Sequence, residues 1–100
     1  MFLKNNGFVV IARNFRCKNG EIDIIAKKDS LVIFVEVKAR HSSDFGYSSE
    51  FVNRKKQQRI VGCAKYFLMK KKLDNIDVRF DVIGIENDSV DWIENAFLED

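Results

Sequence analysis

Residues 20–40, GEIDIIAKKDSLVIFVEVKAR, decide how this chain is read. Positions 31–39 are dominated by β-branched and aromatic residues, the composition of a strand buried on both faces. Positions 22–26 form a shorter run of the same kind, and Lys27-Lys28-Asp29-Ser30 supplies a polar turn. Side chains alternate along a strand, so Leu31, Ile33, Val35, Val37 and Ala39 share one face. Val32, Phe34, Glu36 and Lys38 share the other. A short antiparallel hairpin then puts Asp23 on the face of Glu36, directly opposite it or one diagonal step away. Two carboxylates and an ammonium converge at one end of an apolar hairpin, where burial without partners is costly.

Working outward, one hundred residues make one small domain with a modest core. With 46% hydrophobic and 32% charged residues, the composition is that of a globular chain. No apolar run approaches a membrane span, and the first residues lack a signal-peptide pattern, so a cytoplasmic location is expected. Cys17 and Cys63 are too few and too far apart for a disulfide framework or a zinc site, and are expected to be reduced structural residues. A formal net charge of +2 is close to neutral, so a nucleic-acid surface has to come from local clustering.

Residues 1–6 read as the last turns of a helix stopped by Asn5-Asn6-Gly7, with Phe2 and Leu3 as packing residues. A strand over 8–15 leads to a turn at Lys18-Asn19-Gly20. Beyond the hairpin, residues 40–53 are rich in Ser, Asp and Gly and are long enough for a binding loop or flap. Residues 54–72 form the one long helix, capped by Asn53, with Gln57, Ile60, Val61, Ala64, Phe67, Leu68 and Lys71 on its packing stripe. Arg54, Lys55 and Lys56 stand in its first turn, where cations oppose the macrodipole by roughly 0.3–1 kcal/mol each. An anion such as a phosphate docking there would reverse that cost; a solvated first turn is the plain alternative. Strands over 78–85 and 90–93 follow, joined by Asn87-Asp88-Ser89. A strand–helix–strand crossover makes the hairpin's second strand parallel to 78–85. The expected product is an α/β fold, a mixed sheet with a helix on one face.

Asp23, Glu36 and Lys38 suit the work of holding a divalent cation against a phosphodiester. Carboxylate oxygens suit Mg²⁺ or Mn²⁺, with waters and substrate oxygens completing the coordination shell. A bound cation keeps both carboxylates ionised, whereas without it they raise each other's pKa. Lys38 is placed to orient a water or to neutralise charge on phosphorus. A salt-bridged polar end of a strand pair is the simpler reading of the same residues.

The blocks NFRCKNGEIDIIA, LVIFVEVKAR, RFDVIGI and ENAF resemble the YraN-like family of the PD-(D/E)xK superfamily, over about residues 3–97. That resemblance implies a restriction-endonuclease-like fold and a metal-dependent nuclease. Transferred by position, it implies Asp23 and Glu36 as metal ligands, the Val37 carbonyl as a third oxygen, and Lys38 as the catalytic lysine. Relatives carry a longer N-terminal helix with an acidic residue facing the site, whereas residues 1–6 here contain neither Asp nor Glu. Lower metal affinity and a partly uncovered sheet face follow as expectations, with a homodimer that re-covers the face. Glu21 and Glu50 are the candidate substitutes for the missing acid.

The expected activity is Mg²⁺- or Mn²⁺-assisted hydrolysis of DNA, in branched or repair-related substrates, with Arg40, Arg54, Lys55, Lys56 and Arg59 gripping the backbone. A catalytically silent nucleic-acid-binding module and a protein-interaction domain are the rival readings. His41, Gln57 and Gln58 are weighed as further site residues, and Phe45, Gly46 and Tyr47 as a loop for base stacking. Asp81 is expected to accept hydrogen bonds or to pair with Arg79 or a first-strand Arg, and Trp92 and Phe97 to pack against the sheet.

Overall fold

Strand β3 (Leu31–Arg40) lies at the centre of a five-stranded sheet, as its two-sided apolar composition requires. In the computed structural model, which describes residues 2–40 and 52–98, it follows helix α1 (Phe2–Asn5) and strands β1 (Val9–Cys17) and β2 (Gly20–Lys28). Helix α2 (Arg54–Lys70) and strands β4 (Asp77–Glu86) and β5 (Ser89–Phe97) come after it. The strands are arranged spatially in chain order, β1-β2-β3-β4-β5. Only β3 and β4 run parallel, in unbroken register from Leu31↔Asp77 to Arg40↔Glu86; the other neighbours are antiparallel. The result is a mixed α/β architecture with a mostly antiparallel sheet, and the expected parallel crossover is present.

Each face of the sheet has its own core. Ile60, Cys63, Ala64 and Phe67 of α2 cover one face together with Ile25, Val32, Phe34, Phe80 and Val82. Aromatic rings dominate there: Phe67 meets Phe15 and Phe34 edge-on, and Phe34, Phe80 and Phe97 stack in series. Each such fully buried ring contributes roughly 1.5–3 kcal/mol through apolar burial. On the opposite face, Leu3 of α1 packs with Phe8, Ala26, Ile33, Val35 and Ile83. Helix α1 ends as the sequence predicts. Gly7 adopts φ +89, Phe8 N–H donates to Leu3 O and Gly7 N–H to Lys4 O, while Leu3 and Phe8 join one core.

Three expectations need correction. Lys27 and Lys28 belong to β2 and pair with Val32 and Leu31, so the turn is only Asp29-Ser30, with Asp29 at φ 52. Strand β5 is nine residues long and extends well past Ile93. It persists across a register break opposite Asp81, where Asn95 takes φ 55 and its N–H donates to Asp81 Oδ1. Cys17 and Cys63 are joined as a disulfide between β1 and α2, with Cα atoms 5.6 Å apart. Their separation of 46 positions in sequence gave no hint that helix packing closes it in space. Among the described residues no helix is long and apolar enough to cross a membrane.

Candidate functional site

The site forms where β2 parts from β3. Their pairing runs from Lys28↔Leu31 to Ile24↔Val35 and stops, and Asp23 and Glu36 are the next residues on each strand. Beyond this point the two-residue alternation of β2 breaks. Ile22 and Ile25, three apart, pack into the same helix-side core, which an unbroken strand would not permit. On neighbouring β1, Asn14 takes φ 49 at the same level. The Val37 N–H, left without a β2 carbonyl, donates instead to Asp23 Oδ2 at 2.8 Å. The N–H and C=O of one strand residue leave by the same edge. The Val37 carbonyl therefore also points to the edge that β2 has vacated.

Glu36 is 5% exposed and Asp23 is half-buried beside it. The Glu36 Oε2 atom is buried and is ion-paired with the ammonium of Lys56 from the first turn of α2. Lys38 Nζ stands 3.9 Å from the same oxygen. Burial and the adjacent Asp23 push the Glu36 carboxyl up to about 6, and Lys56 only partly offsets them. A paired carboxylate would ordinarily fall below its usual value; here desolvation and the second acid prevail. The Lys38 ammonium is lowered by burial and by its crowding with Lys56, against the pull of Glu36 and Asp23. Burial also disfavours the charge on Lys56, yet its contacts with Glu36 raise it overall.

Two hard carboxylates, a buried oxygen satisfied only by ammonium groups, and an adjacent backbone carbonyl fit a divalent cation that keeps much of its water. Among the described residues, no third carboxylate, cysteine or histidine joins Asp23 and Glu36.

The basic residues of α2 separate around the helix. The helix carries six Lys and Arg and no acidic residue. Lys55 and Arg59, one turn apart, line an open cleft of about 530 Å³ with Gln58 and with Lys18 and Asn19 of the β1–β2 turn. Among the described residues no carboxylate lines it. Arg54 lines a different cleft, with Gln57, Val61 and Lys65. Lys56, expected to grip a phosphate, instead turns inward to Glu36, so part of the helix-dipole cost is met from within the protein. The Asn53 side chain caps the helix by accepting from Lys56 N–H at 2.8 Å. In the sequence Lys18 and Asn19 carry only the signature of a turn, and nothing there links them to the helix they meet in space. The signal for Lys56 was there: a cation at an unfavourable end of a helix needs an anion.

Other candidates have structural partners. Glu21 pairs across the strands with Arg16 at 3.3 Å, at the surface. Gln57 donates to Val52 O. Asp81, fully buried, accepts from Arg79 twice, from Trp92 Nε1 and from Asn95 N–H, as its sequence context anticipated. Arg40 ends β3 opposite Glu86, but its side chain, and His41, Phe45, Gly46, Tyr47 and Glu50, lie outside the described residues.

These features define a class: a mixed α/β protein with an acid–lysine cluster at a sheet parting and a basic helix beside it. The chain belongs to the uncharacterised protein family UPF0102, the YraN-like family, whose profile matches residues 1–85. It is 47% identical over 96 residues to a UPF0102 protein of Saccharophagus degradans, covering 95% of this chain and 81% of that protein. A UPF0102 protein of Clostridium acetobutylicum is 47% identical over 103 residues, covering 97% and 84% respectively. A third, from Hahella chejuensis, is 46% identical over 99 residues.

Proposed function

We propose that this chain is a restriction-endonuclease-like nuclease that hydrolyses DNA phosphodiesters with Mg²⁺ or Mn²⁺. The observation that carries the reading is the meeting of Asp23, Glu36 and Lys38 at the one place where β2 leaves β3. Asp23 and Glu36 would hold the ion, with the Val37 carbonyl on the same open edge. When bound, such an ion lowers the pKa of a water ligand and offsets charge on the attacked phosphate. Lys38, whose ammonium is already lowered, donates to a non-bridging oxygen or positions the attacking water. Lys18, Lys55 and Arg59 form a basic track for the strand's neighbouring phosphates. Arg54, in a second cleft, adds to the cationic surface, and Arg40 is proposed as a further phosphate contact.

The decisive experiment incubates the protein with branched, single-stranded and duplex DNA in Mn²⁺ and in EDTA. Cleavage in Mn²⁺ alone, abolished by Lys38→Ala with folding intact, supports the reading. Absence of cleavage with any substrate favours the second reading, a binding module without catalysis. One observation favours that alternative specifically: Lys38 and Lys56 both reach the Glu36 carboxylate, so the cluster can serve as a structural ion-pair network.

We place the protein in the cytoplasm, where its substrate is. Thiols there are kept largely reduced, so packing of Phe67 and Ile60 has to hold α2 when the Cys17–Cys63 bond is open. A homodimer covering Phe2, Val9 and Ile11, all exposed here, is the proposed assembly. A strict monomer by light scattering contradicts it.

A further inference from the structure

Lys56 has no place in the proposed hydrolysis, yet among the described residues its ammonium makes the closest charged contact with Glu36. The oxygen it meets, Glu36 Oε2, is buried. Lys38 approaches the same atom only to 3.9 Å. The Lys56 ammonium thus stands at the position where a cation would have to sit to use that oxygen. Two full positive centres cannot share it. At about 4 Å, even a pair of unit charges repels strongly in a partly dry site, and a divalent ion doubles the effect.

Lys56 can also leave. Its side chain is 39% exposed and its backbone lies in the first turn of α2, next to Lys55. Lys55 in turn lines the basic cleft with Arg59. A flexible four-carbon stem lets the ammonium swing from Glu36 towards that side.

We propose that Lys56 is a built-in counter-ion that holds the metal position in the ion-free protein and is exchanged for the divalent cation on loading. The inference rests on the reading of Asp23 and Glu36 as metal ligands. Before loading, two carboxylates face two ammoniums and the cluster is neutral. After loading, the ion balances the carboxylates, and Lys38 and Lys56 are both left as free positive charge. That surplus matches the phosphodiester, which brings one negative charge and gains more as it is attacked. Lys56 is thereby a positioning residue: it orients the Glu36 carboxylate, then becomes a phosphate contact once the ion arrives. The exchange couples ion binding to DNA binding, because DNA phosphates offer the displaced ammonium a new partner.

The test titrates Mn²⁺ calorimetrically into the full-length wild-type protein, Lys56→Gln and Glu36→Gln, without DNA. The proposal expects Lys56→Gln to bind Mn²⁺ on the order of tenfold or more tighter than wild type, and Glu36→Gln to lose binding. Equal or weaker binding by Lys56→Gln, with wild type binding normally, overturns the exchange while leaving the metal reading intact. No binding by any of the three proteins overturns both. A second measurement needs no variant: NMR of the lysine ammonium groups during Mg²⁺ addition to wild type. The Lys56 signal should move from a protected, paired environment to that of an exposed lysine as the site fills. A Lys56 signal unchanged at saturating Mg²⁺ overturns the proposal.

Discussion

Replacing Glu36 by Gln removes the titrating group while keeping its shape, and this isolates the electrostatics of the site. In the ion-free protein, burial and Asp23 hold the Glu36 carboxyl at about 6 instead of 4.5. Between those values the folded protein binds the proton more tightly than the unfolded chain does. Stability from this group is therefore fully present below pH 4.5 and is lost as pH rises through about 6. The gap corresponds to at most about 2 kcal/mol. The assay is urea denaturation of wild type and Glu36→Gln in EDTA at pH 4.5 and pH 7. The two should be alike in acid, and the variant should gain on wild type by up to about 2 kcal/mol at neutral pH. Saturating Mg²⁺ at pH 7 should reverse the order, because only the wild type keeps both ligands. A difference between the two proteins that does not change with pH would refute the reasoning.

Other predictions concern the frame and the surface around the site. Asp81→Ala strands the Arg79 guanidinium, the Trp92 indole and the Asn95 N–H. Breaking such a buried pair costs about 3–5 kcal/mol, so the melting temperature should fall by roughly 12 °C or more, measured by circular dichroism. Opening the Cys17–Cys63 bond releases a constraint across 46 positions, worth about 4 kcal/mol in the chain-entropy account. Oxidised wild type should accordingly resist heat better than Cys17→Ala. Lys55→Ala and Arg59→Ala should each weaken DNA binding and flatten its log–log salt dependence by about 0.9, whereas Lys70→Ala, at the other end of α2, should change neither.

The sequence carried the architecture because its apolar patterns are long and unambiguous. The residues of β3 are apolar on both faces, and α2 spaces Ile60, Ala64 and Phe67 for one buried stripe. A helix between them and β4 leaves a parallel pair as the natural closure. Asp23, Glu36 and Lys38 were legible for the same reason: charges within apolar strands need an explanation. What escaped notice depends on distance in space. Lys56 meets Glu36, and Cys17 meets Cys63, only after α2 has docked on the sheet. The length of β5 was hidden because Asn95, of a type depleted in strands, interrupts it. The buried carboxylate of Asp81, from the neighbouring strand, is what lets Asn95 sit in a bulge and the strand continue. Lys27 and Lys28 misled through composition alone, since a strand edge tolerates lysine as readily as a turn does.

The most direct test is a crystal of the wild-type protein soaked in Mn²⁺ and measured for anomalous scattering. The account predicts one peak about 2.1 Å from a carboxylate oxygen of Asp23 and one of Glu36, with the Val37 carbonyl facing it. A fully loaded crystal with manganese bound elsewhere, and none between Asp23 and Glu36, would contradict it.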